Sequence, residues 1–222
     1  MKTYIAHYEP LKERRKAFSE ALAATHLKKC EWVTAEPTSN FLSLYSSSPA
    51  VWDYRNSLLN YPDNVPFKKL SRAELSLLFK HYLILEQIAA SADPYGLVLE
   101  DDAIFDVATF KDSLKRNILA TPSCWDFIFI GSGCNLRIRP SKLLAGKTAY
   151  LKSHPASKCT DSFLVKKTAA QRILTTFFPF VFPADFELNF QMFAHKMAVY
   201  WWEPPIVIQG SQSGLYESVI QP

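Results

Sequence analysis

Apolar and polar positions along this chain follow two periods in turn, and the switches between them mark out the elements. Thr3-Tyr4-Ile5-Ala6-His7-Tyr8 is rich in aromatic and β-branched residues and runs out at Pro10, which predicts a first strand. Leu11, Phe18, Ala21, Leu22 and Ala24 then take helical spacing across Leu11 to Leu27, while Lys12, Glu13, Arg14, Arg15 and Lys16 crowd the first turns. Cys30 to Ala35 predicts a second strand. From Glu36 to Lys69 the periodicity dissolves among Pro37, Pro49, Pro62 and Pro66, with scattered aromatics and room for a short helix over Val51 to Leu59. A connection this long is either a binding loop or a loop pinned to the core by its aromatics. Ser71-Arg72-Ala73-Glu74 is a capping-box pattern, and Leu75, Leu78, Phe79, Tyr82, Leu85 and Ala89 extend the helix it starts to about Ala90. His81 lies off that stripe, near Leu77 and Ile84.

The next run, Gly96 to Leu99, is wholly apolar and ends abruptly in Glu100, Asp101 and Asp102, after which Ala103-Ile104-Phe105 is apolar again. Three carboxylates crowded at the edge of a core repel one another and lose hydration, so they need a cation, hydrogen bonds or shifted pKa values. Mg²⁺ or Mn²⁺ would meet that need, because hard cations prefer carboxylate and phosphate oxygens. On an extended strand Glu100 and Asp102 would share a side about 6.6 Å apart, which is awkward for chelating one ion. The expectation is therefore a turn at Asp101, with Asp102 as the direct ligand and Glu100 or Asp101 holding a hydroxyl, a water or a neighbouring side chain. The plainer reading, that one of these residues caps a following helix, stays open.

Beyond the triplet, Val107 to Leu119 has a helical pattern, and Trp125 to Gly133 predicts a strand running into a glycine turn where Gly131 and Gly133 would admit a ligand close to the backbone. Asp161 to Val165 predicts another strand, followed by a helix from Lys167 to about Phe177. Asp185, after Pro183, is either the N-cap of the next helix or a carboxylate held over a cleft. Val199 to Trp202 and Ile206 to Gln209 are short strands, and residues 210–222 form a polar tail able to cover a site. This alternation of strands and helices predicts one α/β domain over residues 1–222, with carboxylates at the end of a strand where open sheets bind ligands.

Composition narrows the function. At 222 residues, 48% hydrophobic and 21% charged, the chain suits a packed globule rather than a disordered one. A formal charge of +4 without a zinc-finger spacing gives no reason to expect nucleic acid as a partner. The charge is unevenly placed, however: Arg137, Arg139, Lys142, Lys147, Lys152 and Lys158 occur with no acid among them, a block that either faces phosphates or is a solvated loop. The first residues lack the apolar core of a signal peptide, and no run reaches the ~20 apolar residues of a membrane span, so a cytoplasmic location is expected. The four cysteines form no C-x-x-C pair, and reduced, structural thiols are expected.

Three blocks carry a resemblance to a known family: the first strand leading to Leu11-Lys12-Glu13-Arg14-Arg15, then Leu70-Ser71-Arg72-Ala73-Glu74 through Lys80-His81, then Leu97-Val98-Leu99-Glu100-Asp101-Asp102-Ala103. A weaker fourth is Pro183-Ala184-Asp185 through Leu188-Asn189. Together they resemble glycosyltransferase family 25, the lipopolysaccharide- and collagen-modifying sugar transferases. Members often have Asn where this chain has His7, Gly for Ala73 and Ser for Lys80. The resemblance implies a Rossmann-like GT-A fold with a mixed central sheet, Mn²⁺ or Mg²⁺ as cofactor, and a nucleotide sugar, UDP-galactose or UDP-glucose, as donor. It implies Asp102 and Glu100 at the metal, His7, Arg14, Glu74, His81, Glu100 and Asp101 around the donor, and Asp185 as the base of an inverting transfer. The implied acceptor is a lipopolysaccharide or other oligosaccharide, which the basic block could meet through phosphates at the inner face of the membrane. Two other classes stay open: a nucleotidyltransferase, and a non-catalytic nucleotide- or glycan-binding module.

Overall fold

The computed structural model describes residues 1–59, 66–152 and 159–218. Tyr61 and Pro62 of the long connection, Lys158 of the basic block and the tail beyond Ser218 lie outside them. In chain order the elements are β1 (Lys2–Ala6), α1 (Lys12–Ala24), β2 (Cys30–Val33), α2 (Ser39–Ser43), α3 (Pro49–Leu59), α4 (Arg72–Ala90), β3 (Tyr95–Glu100) and β4 (Ala103–Ile104). There follow α5 (Phe110–Ala120), β5 (Phe127–Phe129), β6 (Ala149–Leu151), β7 (Ser162–Lys166), α6 (Lys167–Leu174), α7 (Ala184–Ala194), β8 (Val199–Trp202) and β9 (Ile208–Gln209).

Seven strands form one mixed sheet in the order β2-β1-β3-β7-β5-β8-β6, and β4 pairs with β9 in a small second sheet. β2, β1 and β3 are parallel, β7 runs against both β3 and β5, β8 is parallel to β5, and β6 is antiparallel to β8. This is the α/β class that the alternating pattern predicts, with the mixed central sheet that the resemblance implies. Side chains alternate across the sheet with period two and divide the core in half. Tyr4, Val98, Phe127, Phe129 and Phe163 point to the layer formed with α4, α6 and α7. Ile5, Leu97, Leu99, Ile128 and Leu164 point to the layer holding Phe18 and Leu22 of α1 and Phe110 and Leu114 of α5. Wholly apolar strands result because both faces are covered.

The helix predicted from the capping box is α4. Ser71 Oγ accepts from the Glu74 N–H at 3.2 Å, and the Glu74 carboxylate accepts from the Ser71 N–H at 2.8 Å. Ser71→Ala is expected to destabilise the protein by about 1 kcal/mol, read as a fall in midpoint on urea denaturation. The long connection is not shapeless: α2 and α3 lie within it, pinned by Phe41 against Phe79 and Phe180 and by Trp52 against Phe182. A buried ion pair joins α3 to α7, with Arg55 at 3.1 Å from the Glu187 carboxylate and also donating to the Pro179 carbonyl at 2.7 Å.

Two expectations are corrected. Cys134 and Cys159 form a disulfide, with Cα atoms 6.1 Å apart, whereas reduced thiols are what the spacing predicts; Cys30 and Cys124 remain free. The pair is 25 residues apart in sequence, and only the pairing of β5 with β7 brings the loop after one strand beside the start of the other. Gly131 does not open its backbone to a ligand: a Cβ there would fall 1.9 Å from Asp161 Oδ2 and 2.4 Å from Ser162 Oγ. The space is filled by a buried carboxylate.

Candidate functional site

The site lies at the carboxyl ends of β1 and β3. Ala6 and Glu100 are partners in the last register position of that parallel pair, so the next residues, His7 and Asp101, leave the sheet side by side. His7 Nδ1 meets Asp101 Oδ2 at 2.5 Å, and the guanidinium of Arg14, in the first turn of α1, donates to Asp101 Oδ1 at 3.2 Å. The imidazole sits edge-on to Trp32. Because β7 runs the other way, its beginning reaches the same edge. Thr160 Oγ1 there donates to Glu100 Oε1 at 2.6 Å, and the wholly buried Asp161 follows it. His81 of α4 approaches Glu100 Oε1 from below at 3.2 Å, stacked on Phe163.

The chain turns at Asp101 and Asp102, as expected from the awkward spacing that an extended strand would give the acids. The triplet is thereby divided by its partners. Glu100 and Asp101 are held by neighbouring side chains, whereas Asp102 Oδ1 is buried and has no hydrogen-bond partner among the described residues. Its other oxygen accepts from the Ser211 N–H at 3.1 Å. Burial, and then the negative charge of Glu100, push the Asp102 carboxyl above the ordinary range. An orphaned buried oxygen in negative surroundings is a place where a cation is favourable.

The C-terminal segment closes over this turn. Gly210 N–H donates to the Asp102 carbonyl at 2.8 Å, and a Cβ at Gly210 would come within 2.6 Å of that oxygen, so the close approach needs glycine. Further along, the Tyr216 ring lies 4.9 Å from the Arg14 guanidinium, which also donates to the Glu217 carbonyl at 2.8 Å. Arg14 therefore ties α1, the acidic turn and the tail together.

Between these elements lies a cleft of about 860 Å³, lined by His7, Arg14, Arg72 and Lys80 and by the carboxylates Glu36, Glu100, Asp101 and Asp102. Lys80 is buried and held by Glu36 at 3.0 Å and by Ser76 at 2.6 Å. The size suits a nucleotide. Of the four carboxylates, Glu36 is paired with Lys80 and Asp101 with Arg14, so a cation beside Asp102 could offset the charge that remains when an anionic ligand enters. Among the described residues, the three acids do not bring their oxygens together as a closed set of ligands; the one three-residue group that does is Cys134, Cys159 and Asp185, whose thiols are joined as the disulfide. A divalent cation at the acidic turn could be held through only one or two of these carboxylates, with the rest of its shell from water or a bound ligand. Asp102, whose buried Oδ1 has no partner among the described residues, is the carboxylate that could hold it.

A second cavity of about 470 Å³ adjoins the first and shares Leu77, Glu100, Gln209, Ser211 and Ser218 with it. Trp52, Phe186, Asp185 and the disulfide line it. Asp185 is not the N-cap of α7: Pro183 takes that position without a side-chain bond, and Asp185 stands in the first turn facing the cavity. Burial pushes its carboxyl up to about 6, against the pull of the Phe186 N–H and with the help of Glu100 and Glu74. Glu74 lies in this smaller cavity rather than the nucleotide-sized one, with both oxygens engaged, by Ser71 and by Lys68 at 2.9 Å. His81 lines neither and acts on the site through Glu100.

No known protein family matches the chain, and no curated protein matches it. Among solved structures it is similar to that of S. aureus TarS 1–349, with 15% identity and a TM-score of 0.49 over 98% of this chain. The chain spans 63% of the length of that one. The likeness to glycosyltransferase family 25 thus rests on the motif residues themselves.

Proposed function

We propose that this protein is a glycosyltransferase that takes a hexose from a nucleotide sugar, UDP-galactose or UDP-glucose, and passes it with inversion to a hydroxyl of a lipopolysaccharide or other surface glycan. The observation that carries this reading is the pair of adjoining cavities. One has the size and the cation-demanding carboxylates for a nucleoside diphosphate; the other holds a carboxylate whose pKa is near 6; Glu100 belongs to both. A donor in the first cavity would direct its anomeric carbon toward the second.

In this reading Asp185 accepts the proton of the acceptor hydroxyl as that oxygen attacks the anomeric carbon, and the bond from that carbon to the diphosphate oxygen breaks on the opposite face. Asp185 is ionised at neutral pH yet basic enough to take a proton, the range that favours general-base work. A divalent cation, when bound, neutralises the charge that develops on the departing diphosphate. His7 and Arg14 fix Asp101, and His81 and Thr160 fix Glu100, so the acidic turn keeps its shape while the charge beside it changes. A nucleotidyltransferase would release pyrophosphate and has no need of a carboxylate base in a second cavity.

The reading is tested by thermal denaturation with UDP and Mn²⁺, alone and together. A ligand at 100 times its Kd adds about 2.7 kcal/mol of stability, so a clear shift with the pair, reversed by EDTA, is expected. No shift with any nucleoside diphosphate would contradict it. Arg14→Ala removes a cation from the cleft and frees the tail, and about tenfold weaker UDP binding is expected by calorimetry in the presence of Mn²⁺.

A further inference from the structure

The chain leaves the wall of the smaller cavity at Cys134, is anchored by Ile138, and then runs through nine consecutive exposed residues, Arg139 to Lys147, before re-entering the sheet as β6. At the middle of this excursion stand two adjacent leucines, Leu143 and Leu144, 44% and 61% exposed. Arg139 and Lys142 precede them and Lys147 follows, all exposed, and no acid lies anywhere in the run.

The leucines are not turned outward by slack in the chain. The Leu144 N–H donates to the Tyr150 hydroxyl at 2.9 Å, that hydroxyl donates to the Lys147 carbonyl at 3.2 Å, and the Lys147 ammonium lies 4.9 Å from the Tyr150 ring. Lys142 N–H and Leu143 N–H close turns onto the Arg139 and Pro140 carbonyls. At its base, Glu203 holds Arg137 at 3.0 Å and accepts from the Ile138 N–H. Tyr150 is buried in the core, so the loop is braced from inside the fold with its two leucines facing water. Burying them in an apolar medium is favourable, and the flanking cations select a medium whose surface is anionic.

We propose that the loop from Arg139 to Lys147 is a membrane-docking element that inserts Leu143 and Leu144 below the headgroups of an anionic bilayer while Arg139, Lys142 and Lys147 meet the lipid phosphates. The tip offers two adjacent exposed leucines, flanked along the chain by exposed cations and by no acid. An anionic bilayer complements both the cations and the apolar pair, whereas a protein partner would need a pocket with matching acids. Nucleic acid would use the cations but gain nothing from the leucines. The proposal does not depend on the transferase reading, since docking is measured without turnover.

The test is flotation with vesicles of phosphatidylcholine alone or with 30% phosphatidylglycerol, a composition rich in anionic lipid on the order of a cytoplasmic leaflet. The wild-type protein is expected to float with the anionic vesicles and not the neutral ones, and to release as salt is raised. Leu143→Ser with Leu144→Ser is expected to weaken binding about 10- to 100-fold, and Arg139→Glu with Lys142→Glu by a similar factor. Leu119→Ser, at an exposed leucine of α5, is the control and is expected to bind as wild type. Circular dichroism melts of each variant separate lost docking from lost folding. Failure of the wild type to float, or undiminished binding by the double serine variant, would overturn the proposal; the second outcome would mean a purely electrostatic contact. UDP-dependent thermal shifts on the same variants report separately on the nucleotide cleft.

Discussion

Replacing Asp102 with alanine is expected to abolish the stabilisation by UDP that depends on Mn²⁺ and to lower kcat/KM by about 10²- to 10³-fold, the range spanned when one electrostatic contact to developing charge is lost. The reason is local. Glu100 and Asp101 are already committed to Thr160, His81, His7 and Arg14, whereas Asp102 keeps one buried oxygen without a partner among the described residues. Asp102→Asn separates charge from shape: the amide oxygen can still accept from the Ser211 N–H, so the tail keeps its anchor while the cation loses its carboxylate. It is expected to fail as the alanine variant does. Mn²⁺ titrations unchanged from wild type in both variants would remove Asp102 from the site.

Asp185→Asn is expected to lower kcat by about 10²- to 10⁴-fold while leaving Mn²⁺-dependent UDP binding intact, because Asp185 lies in the smaller cavity and not the nucleotide-sized one. The pH dependence gives a second reading. With the carboxyl raised from 3.8 to about 6, kcat/KM of the wild type is expected to climb with pH and level off above about 6, and this limb should vanish in the variant. Stability carries the opposite sign. The folded protein holds the Asp185 proton more tightly than the unfolded chain, so this group's contribution falls as pH rises from 3.8 through about 6 and is wholly unfavourable above it. Asn carries no such penalty. At pH 7.5 the variant is expected to be more stable than wild type, by an amount on the order of 1–3 kcal/mol, and equally stable near pH 3.5. A variant that loses turnover while gaining stability marks a residue kept for chemistry. Near wild-type turnover at saturating donor would exclude Asp185 as the base.

The features legible in the sequence are those written over short spans. The capping box of α4 is visible because Ser71 and Glu74 are three residues apart, and the covered strands are visible because Leu97 to Leu99 and Phe127 to Ile130 are apolar without a break. The turn at Asp101 is legible because an extended strand would set Glu100 and Asp102 too far apart to share one ion. What stayed hidden depends on partners distant in the chain. Ser211 on Asp102, Tyr216 on Arg14, Thr160 beneath Glu100 and Arg55 in the grip of Glu187 each join segments that only the completed sheet brings together. The disulfide belongs with them, since neither Cys134 nor Cys159 has a neighbouring cysteine or histidine to signal its role. Asp185 shows how the two kinds of information combine. Its place before a helix leaves both a cap and a carboxylate over a cleft open; Pro183 occupies the cap and Asp185 faces a cavity, which leaves the second. Gly131 shows the converse: a glycine that reads as room for a ligand is room for Asp161.

The most direct test of sugar transfer at this site is the release of nucleoside diphosphate from a panel of nucleotide sugars, followed by chromatography with and without Mn²⁺. Release of UDP from one hexose donor, dependent on Mn²⁺ and lost in Asp102→Asn, is the expected result. UDP binding without release from any donor, or release of pyrophosphate instead, would contradict it and point to a binding module or a nucleotidyltransferase.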